Sequence, residues 1–384
     1  MVPRAWSQRG IGELSWNPGH CPFFAVTERG QAPVCGMWDR HGRGRARGAG
    51  PLRYARRPSS GGDSALSKLK ILVTGGAGFI GSHLAEALVG RGHRVRVLDD
   101  LSAGRRPNLR AVRDDVDFMR ANCADLETAR RATRGMDVVY HEAAVPSVAR
   151  SVADPVLSHR ANATATLTML VAARECGVRR FIYAGSSSVY GDARQLPKRE
   201  DMEPRPLSPY AVGKLVGEHY LRIFHGLYGL ETLTLRYFNV YGPRQNAASP
   251  YSGVISLFVT SLLAGKKPVI YGDGQQSRDF TYVEDVVQAN VRALTARGLA
   301  GQHVNVATGH RVTLRQLLET LGREIGVPAR AELRPPRAGD IRHSLADISA
   351  AHRLLGYRPK VDFETGLRRT LEWYRGGRKS GARR

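Results

Sequence analysis

A chain of 384 residues, 42% of them hydrophobic, is long enough to bury a sizeable core and exceeds one typical domain. Its 58 Lys and Arg against 34 Asp and Glu leave a formal charge of +24, much of it in residues 1–67 and in the closing RGGRKSGARR. No run of about 18 apolar residues predicts a membrane span, no apolar leader predicts secretion, and no aromatic-interleaved basic stripe favours nucleic acid as a partner.

The cations suit a pocket for an anionic small molecule instead. Residues 1–67 are rich in Gly, Arg, Pro and Ser and show no sustained period. That composition buries too little surface to offset ordering entropy, so the segment reads as a disordered basic extension or as the product of an early start codon. Cys21, Cys35, Cys123 and Cys176 have neither metal-ligand spacing nor a disulfide framework. No metal is expected, and a reducing cytoplasm is the expected compartment.

The folded pattern begins at Leu69. Lys70–Thr74 reads as a short buried strand, Phe79, Ile80, Leu84, Ala87 and Leu88 as one apolar helix face, and Val95–Leu98 as a second strand. The turn after the first strand carries Gly75, Gly78 and Gly81, one residue off the GxGxxG fingerprint. Such glycines allow a tight turn, a close approach to a pyrophosphate and close helix–sheet packing, with the diphosphate on the helix N-terminus. Asp99 ends the second strand about 20 residues on, where a carboxylate accepts from the adenosine ribose hydroxyls and repels a 2′-phosphate. The reading is NAD rather than NADP.

Strands and helices alternate from there. This predicts an α/β fold, a Rossmann-like doubly wound parallel sheet with a smaller C-terminal lobe interleaved with it. Leu101 to Gly104 forms a loop suited to covering adenosine. Val116 to Arg120 is a third strand, Asp125 caps a helix that runs to Thr133, and Met136 to His141 is a buried strand followed by the small Ala143 and Ala144. One long helix is expected from Asp154 to Cys176, then a strand from Arg180 to Ala184, a helix from Ser208 to about Tyr228 and a strand from Thr232 to Arg236. The expected division is 68–240 for the cofactor domain, 241–376 mainly for the substrate lobe and 377–384 for a basic tail.

Tyr210 and Lys214 stand four residues apart at the start of a helix, on one face. A phenol alone titrates near pH 10, and a neighbouring ammonium, helped by a positive nicotinamide ring, is expected to lower it into the range of a general base. Ser186 lies just past the end of a strand, the edge where doubly wound sheets bind ligands, and its hydroxyl is placed to share a substrate oxygen.

The segments TGGAGFIGS, LDDLSAG, HEAAVPSVARSVADP, SSSVYGD, SPYAVGK, RYFNVYGPRQ, GDGQQSRDFTYVEDV and PRAGDIRHSLAD span nearly the whole chain from Leu69 onward. With them the chain resembles the extended short-chain dehydrogenase/reductase family, in particular its nucleotide-sugar epimerases and dehydratases, and is most similar to UDP-N-acetylglucosamine 4-epimerases. The resemblance implies NAD-dependent epimerisation at carbon 4 of a UDP-sugar through a 4-keto intermediate. The substrates implied are UDP-GlcNAc and UDP-GalNAc, with UDP-Glc and UDP-Gal beside them. Tyr210 is then the base, Lys214 its partner and Ser186 the hydroxyl donor. Cofactor contacts are implied at Gly75, Gly78, Phe79, Ile80, Gly81, Asp99, Asp100, Ser102, Gly104, Asn122, Cys123, Ala143, Ala144 and Tyr237, together with Tyr210 and Lys214.

On the substrate side the resemblance implies Ser147, Ser187, Ser188, Asn239, Arg278 and Arg337, with Arg244 as a weaker candidate and Asp340 accepting from the uridine ribose or an arginine. The planar fork of arginine suits a diphosphate. Family dehydratases carry Asp-Glu, and decarboxylases a Glu, where this chain has Ser187 and Ser188, which favours epimerisation. Ser344 matches the family's size gate and leaves room for an N-acetyl group. Two positions depart from the pattern: Asn122, where an Asp usually contacts adenine, and Asp100, where many relatives have Asn. A homodimer is also implied, packed through the helices at Asp154–Cys176 and Ser208–Tyr228 with Leu167, Leu170, Val171 and Leu215 available for apolar faces. UDP-glucuronate 4-epimerisation or decarboxylation is the alternative on the same fold. A non-catalytic NAD(H)-sensing or RNA-associated module is the alternative from another class.

Overall fold

The structure, a computed structural model, describes residues 68–246, 253–336 and 341–381. The expected N-terminal extension, Arg337 and Asp340 lie outside the described residues. The first half of the fold runs β1 (Lys70–Thr74), α1 (Phe79–Val89), β2 (Arg94–Leu98), β3 (Val116–Met119), α2 (Leu126–Thr133), β4 (Val138–His141), α3 (Val148–Ala153), α4 (Pro155–His159), α5 (Ala165–Glu175), β5 (Arg180–Ser186), α6 (Pro209–Tyr228) and β6 (Glu231–Tyr237). The second half runs β7 (Val240–Tyr241), α7 (Val254–Leu263), β8 (Val269–Tyr271), β9 (Ser277–Arg278), β10 (Thr281–Tyr282), α8 (Val283–Thr295), β11 (Gln302–Val306), β12 (Val312–Thr313), α9 (Leu314–Ile325), β13 (Glu332–Arg334), α10 (Ser349–Leu355) and α11 (Phe363–Gly381).

Seven strands form one sheet in the order β3-β2-β1-β4-β5-β6-β11, and every pair in it is parallel. Parallel sheets are covered on both faces, and the alternation along β1 shows how. Ile71 and Val73 pack with Leu84 and Leu88 of α1 and Val286 and Ala289 of α8, whereas Leu72 packs with Ala129 of α2, Met169 of α5 and Leu221 of α6. The strand order reverses between β1 and β4, which opens a crevice at their C-terminal ends. A third apolar cluster joins α7, α9 and α11 through Phe258, Val259, Leu317, Leu321, Leu367 and Leu371. The chain weaves between these cores: α8 and β11 return to the main sheet after α7, and α11 returns to the third cluster after α10.

Two local readings differ from expectation. The long helix is divided: Asp154 caps α4 by accepting from the Leu157 N–H at 2.9 Å, and a π turn spans Arg160–Thr164 before α5. The extra residue wound into that turn lets Asn162 bond away from the axis, accepting from the Val145 N–H at 3.1 Å while donating to the Ser158 carbonyl at 2.9 Å. Leu167, Leu170, Val171 and Leu215 do not form an outward face. The first three pack into the core under α5 and α6, and Leu215 packs on Val189 and Phe238. The exposed apolar side chains of this region include Val148, Val152, Val156, Val212, Ile223 and Leu227.

Arg236 of β6 and Glu218 of α6, both nearly inaccessible, form a two-pronged ion pair with bonds of 2.9 and 2.6 Å that ties α6 to the sheet. A guanidinium left there without its carboxylate is a buried unpaired charge. Glu218→Ala is therefore expected to cost about 3–5 kcal/mol of stability, read as a lower denaturation midpoint in urea. A loss under about 1 kcal/mol would mean that the pair is not the anchor of α6.

Candidate active site

The crevice is a continuous cleft of roughly 3040 Å³, about three times the upper end of ordinary small-molecule pockets, so it has room for two nucleotide-sized molecules. Every sequence-predicted site residue within the described residues lines it: the glycine turn, Asp99 to Gly104, Asn122 and Cys123, Ala143 to Ser147, Ser186 to Ser188, Tyr210, Lys214, Tyr237, Asn239, Arg244, Arg278 and Ser344. Arg337 and Asp340 lie outside the described residues.

At one end, Gly75 adopts a φ of +66°, and a Cβ there would lie 2.7 Å from the Ala143 nitrogen. A Cβ on Gly81 would lie 2.3 Å from the Gly75 carbonyl oxygen. Gly78 starts α1 with no side-chain cap, and no acidic side chain stands in the first turn, so helix N–H groups face the cleft unanswered. Asp99 accepts from the Ala77 N–H at 2.9 Å and the Leu101 N–H at 2.8 Å, fixing the glycine turn to the loop after β2. Asp100 accepts from the Ser102 N–H at 2.9 Å. Burial pushes the Cys123 thiol up to about 12, which leaves it a small apolar wall element.

Ser208 caps α6 by accepting from the Ala211 N–H at 3.2 Å, and Pro209 occupies the first helical position. This start puts Tyr210 in the first turn and Lys214 one turn on. The Tyr210 hydroxyl faces Ser186 at the end of β5. The Lys214 ammonium donates to the Ala184 carbonyl at 2.8 Å and stands 4.8 Å from the Tyr183 ring centroid and 5.9 Å from that of Tyr210. Burial raises Tyr210 above an ordinary phenol, and its bond to Ser186 works the other way. The expected lowering by Lys214 is not seen in this structure: burial is the larger influence on Tyr210, and the expectation also counted on a cationic nicotinamide ring beside it. Burial lowers the Lys214 ammonium to about 8, against the opposing pull of Glu142 and Glu218.

Around the other half of the cleft, Ser186 accepts from the Ser188 hydroxyl at 2.9 Å, and Ser147 caps α3 by accepting from the Arg150 N–H at 3.1 Å. Asn239, at a φ of +33°, donates to the Asp279 carbonyl at 3.1 Å. Arg244 is answered by Glu86 of α1 and reaches Ser82, so it braces the glycine turn rather than standing free for an anion.

Residues 71–307 match the NAD dependent epimerase/dehydratase family. The chain belongs to that family. A UDP-glucose 4-epimerase of Mycolicibacterium smegmatis is 42% identical over 311 residues, which cover 80% of this chain and 99% of that one. Among solved structures, a UDP-N-acetylglucosamine 4-epimerase from Methanobrevibacter ruminantium, crystallised with UDP-N-acetylmuramic acid, matches with a TM-score of 0.77 and 38% identity over 81% of this chain and 99% of that one. A Thermus thermophilus UDP-glucose 4-epimerase in complex with NAD matches with a TM-score of 0.73 and 39% identity over 80% and 99%. The cofactor of this NAD dependent epimerase/dehydratase is NAD, and the residues present fit it. The glycine cradle is a place that any Cβ would fill, and the uncapped start of α1 offers donors to a diphosphate.

Three side chains of the site were not singled out from sequence. Asn162 depends on the π turn, which no periodicity announces. Asp279 accepts from the Thr308 N–H at 2.9 Å, the Gly309 N–H at 3.0 Å and the Ala346 N–H at 3.2 Å, and so gathers the segments that carry Arg278 and Ser344. Glu142, in the quoted HEAAV, accepts from the Tyr237 hydroxyl at 2.8 Å. A carboxylate directly after a buried strand was the available signal. Gly75→Ala must adopt a left-handed backbone at about 1–3 kcal/mol and also clash with Ala143. It is expected to weaken NAD binding at least tenfold in calorimetric titration, which corresponds to about 1.4 kcal/mol. Unchanged affinity would remove the cradle reading.

Proposed function

We propose that this protein is a UDP-sugar 4-epimerase whose catalytic residues are Ser186, Tyr210 and Lys214, with UDP-N-acetylhexosamines as its preferred substrates and UDP-hexoses beside them. The observation that carries the reading is that Tyr210, Ser186 at a strand end and the Lys214 ammonium one helical turn from Tyr210 line one cleft, which also holds the glycine cradle. Bound NAD supplies a hydride acceptor that later returns the hydride, and a cationic ring that favours a phenolate. Tyr210 takes the proton of the sugar's 4-hydroxyl, Ser186 holds the same oxygen, and Tyr210 gives the proton back once the 4-keto sugar has turned its other face. Lys214 favours the phenolate during proton removal.

Arg278 and Asn239 hold the diphosphate end, with Arg337 and Asp340 completing the set on their motif. Ser187 and Ser188 offer hydroxyls and no acid, which supports epimerisation over dehydration or decarboxylation. UDP-glucuronate remains the second substrate reading, supported by the cationic rim of Arg150, Arg160 and Arg278. The exposed Val148, Val152, Val156 and Val212 support a homodimer through α3, α4 and α6, and a monomer mass in solution removes it. The free thiols of Cys123 and Cys176 support a reducing compartment, the cytoplasm.

With a panel of UDP-sugars followed by NMR, Tyr210→Phe is expected to retain NAD and lose about 10²–10⁴ in turnover. Turnover within tenfold of the unmodified enzyme rules out Tyr210 as the base. In the same panel Ser344→Tyr is expected to lose at least about tenfold in kcat/KM for UDP-GlcNAc relative to UDP-glucose. An unchanged ratio removes Ser344 as the size gate.

A further inference from the structure

We propose that Lys198 is a specificity-determining residue of the cleft, its ammonium donating to the carbonyl oxygen of the substrate's 2-acetamido group. The proposal rests on the reading of Ser344 as the wall that faces carbon 2 of the sugar. Lys198 lines the cleft yet is only 2% exposed. Its place is fixed from three sides. The Lys198 N–H donates to the Leu345 carbonyl at 2.7 Å and the Asp347 N–H to the Lys198 carbonyl at 2.9 Å, a short parallel bridge to Ala346. Asn305 of β11 donates to the same Lys198 carbonyl at 3.0 Å and accepts from the Tyr190 hydroxyl at 2.7 Å. The ammonium itself donates to the Ala193 carbonyl, and the Ala193 N–H returns to the Tyr190 carbonyl at 3.4 Å.

These bonds set the lysine between two walls of the cleft. One is the turn Ser187–Tyr190 after β5, which reaches Lys198 through Ala193 and Asn305. The other is the segment that carries Ser344. Ser277 of β9 donates to the Arg342 carbonyl at 2.9 Å and accepts from the Ser344 N–H at 3.0 Å, so the segment is bonded first to the strand of Arg278 and then to Lys198. Ser188, Tyr190, Lys198, Arg278 and Ser344 all line the same cleft. A sugar with its diphosphate at Arg278 and its carbon 4 at Tyr210 has carbon 2 on the Ser344 side, as the size-gate reading requires. Lys198 is the cation bonded into the segment directly after Ser344.

A buried ammonium needs acceptors for its three N–H groups. Among the described residues the Ala193 carbonyl is its one bonded acceptor, and no carboxylate is paired with it. Asp192, which is exposed, attracts it without a bond, and burial still holds the ammonium below the ordinary lysine range. The donors left over belong to a residue that lines the cleft, so a ligand oxygen is the counterpart that fits. An acetamido oxygen extends two bonds farther from the ring than the 2-hydroxyl of a hexose, and it forms a charge-assisted bond with an ammonium. A sugar without the acyl group leaves the buried donor unpaired, which is how a polar group in a closed site discriminates between substrates. The small Ser344 admits the group and Lys198 holds it.

The test is calorimetric titration of UDP-GlcNAc, UDP-glucose and UDP-glucuronate onto the full-length protein loaded with NAD. Tyr210→Phe serves as the background, so that no sugar turns over. Adding Lys198→Met, which keeps the stem and removes the donors, is expected to weaken UDP-GlcNAc at least about tenfold more than UDP-glucose. Lys198→Arg is expected to restore part of that ratio. Lys198→Gln reads the same ratio where the methionine variant does not fold. An unmoved ratio, an equal loss for all three sugars, or no binding of UDP-GlcNAc before Lys198 is changed overturns the proposal. A loss confined to UDP-glucuronate gives the cation to a carboxylate and overturns it as well. The titration needs no turnover, so its failure is distinct from a failure of the epimerase reading, which Tyr210→Phe alone decides by activity.

Discussion

The cleft exists because the backbone at Gly75 meets the backbone at Ala143 with nothing between them. β1 and β4 are neighbours whose following segments leave the sheet on opposite sides, and at this split two chains come closer than any side chain permits. Closeness here has two effects. It presents the bare start of α1 to the crevice, and it brings the end of β4, with Glu142 on it, into the same cleft. One steric constraint thus places both the glycine turn and the end of β4 along the cleft.

The second organising influence is electrostatic. The cleft collects cations suited to phosphates, yet the groups nearest the proposed chemistry are mostly held in the forms that burial favours. His141 is neutral, Tyr183, Tyr190 and Tyr237 keep their protons, and Lys214 is weakened as an acid–base pair partner only by its desolvation. Against this background a single carboxylate counts for more than it does in water, because the low-dielectric surroundings screen it less. Arg236 with Glu218 shows the alternative use of buried charge, a two-pronged ion pair that shapes the fold by tying α6 to the sheet.

Much of this was legible in the sequence because local rules and global fold agree. The glycine turn, the cap at Asp125, the four-residue step from Tyr210 to Lys214 and the strand-end position of Ser186 each follow from short-range geometry, and the structure brings the glycine turn, Ser186, Tyr210 and Lys214 into one cleft. The rest depends on long-range placement. The π turn at Arg160–Thr164 leaves the apolar pattern of its helix intact, so periodicity shows one unbroken element. Leu167, Leu170, Val171 and Leu215 read as an apolar face from spacing alone, but spacing does not say whether a sheet or solvent lies opposite. The direction of the Tyr210 shift turned on its burial, which the fold sets and local spacing does not.

The weaving of the chain between its cores has a further consequence. The sheet's edge strand β11 and its covering helix α8 are encoded downstream of α7, which belongs to the third apolar cluster, and Phe79 and Ile80 of the glycine turn pack against that cluster. Neither half is a contiguous segment that a gene could donate or acquire whole. New sugar preferences on this scaffold must therefore arise by point changes along the cleft rather than by exchange of a cassette, and a chain cut anywhere between β7 and α11 leaves two incomplete cores instead of one finished module.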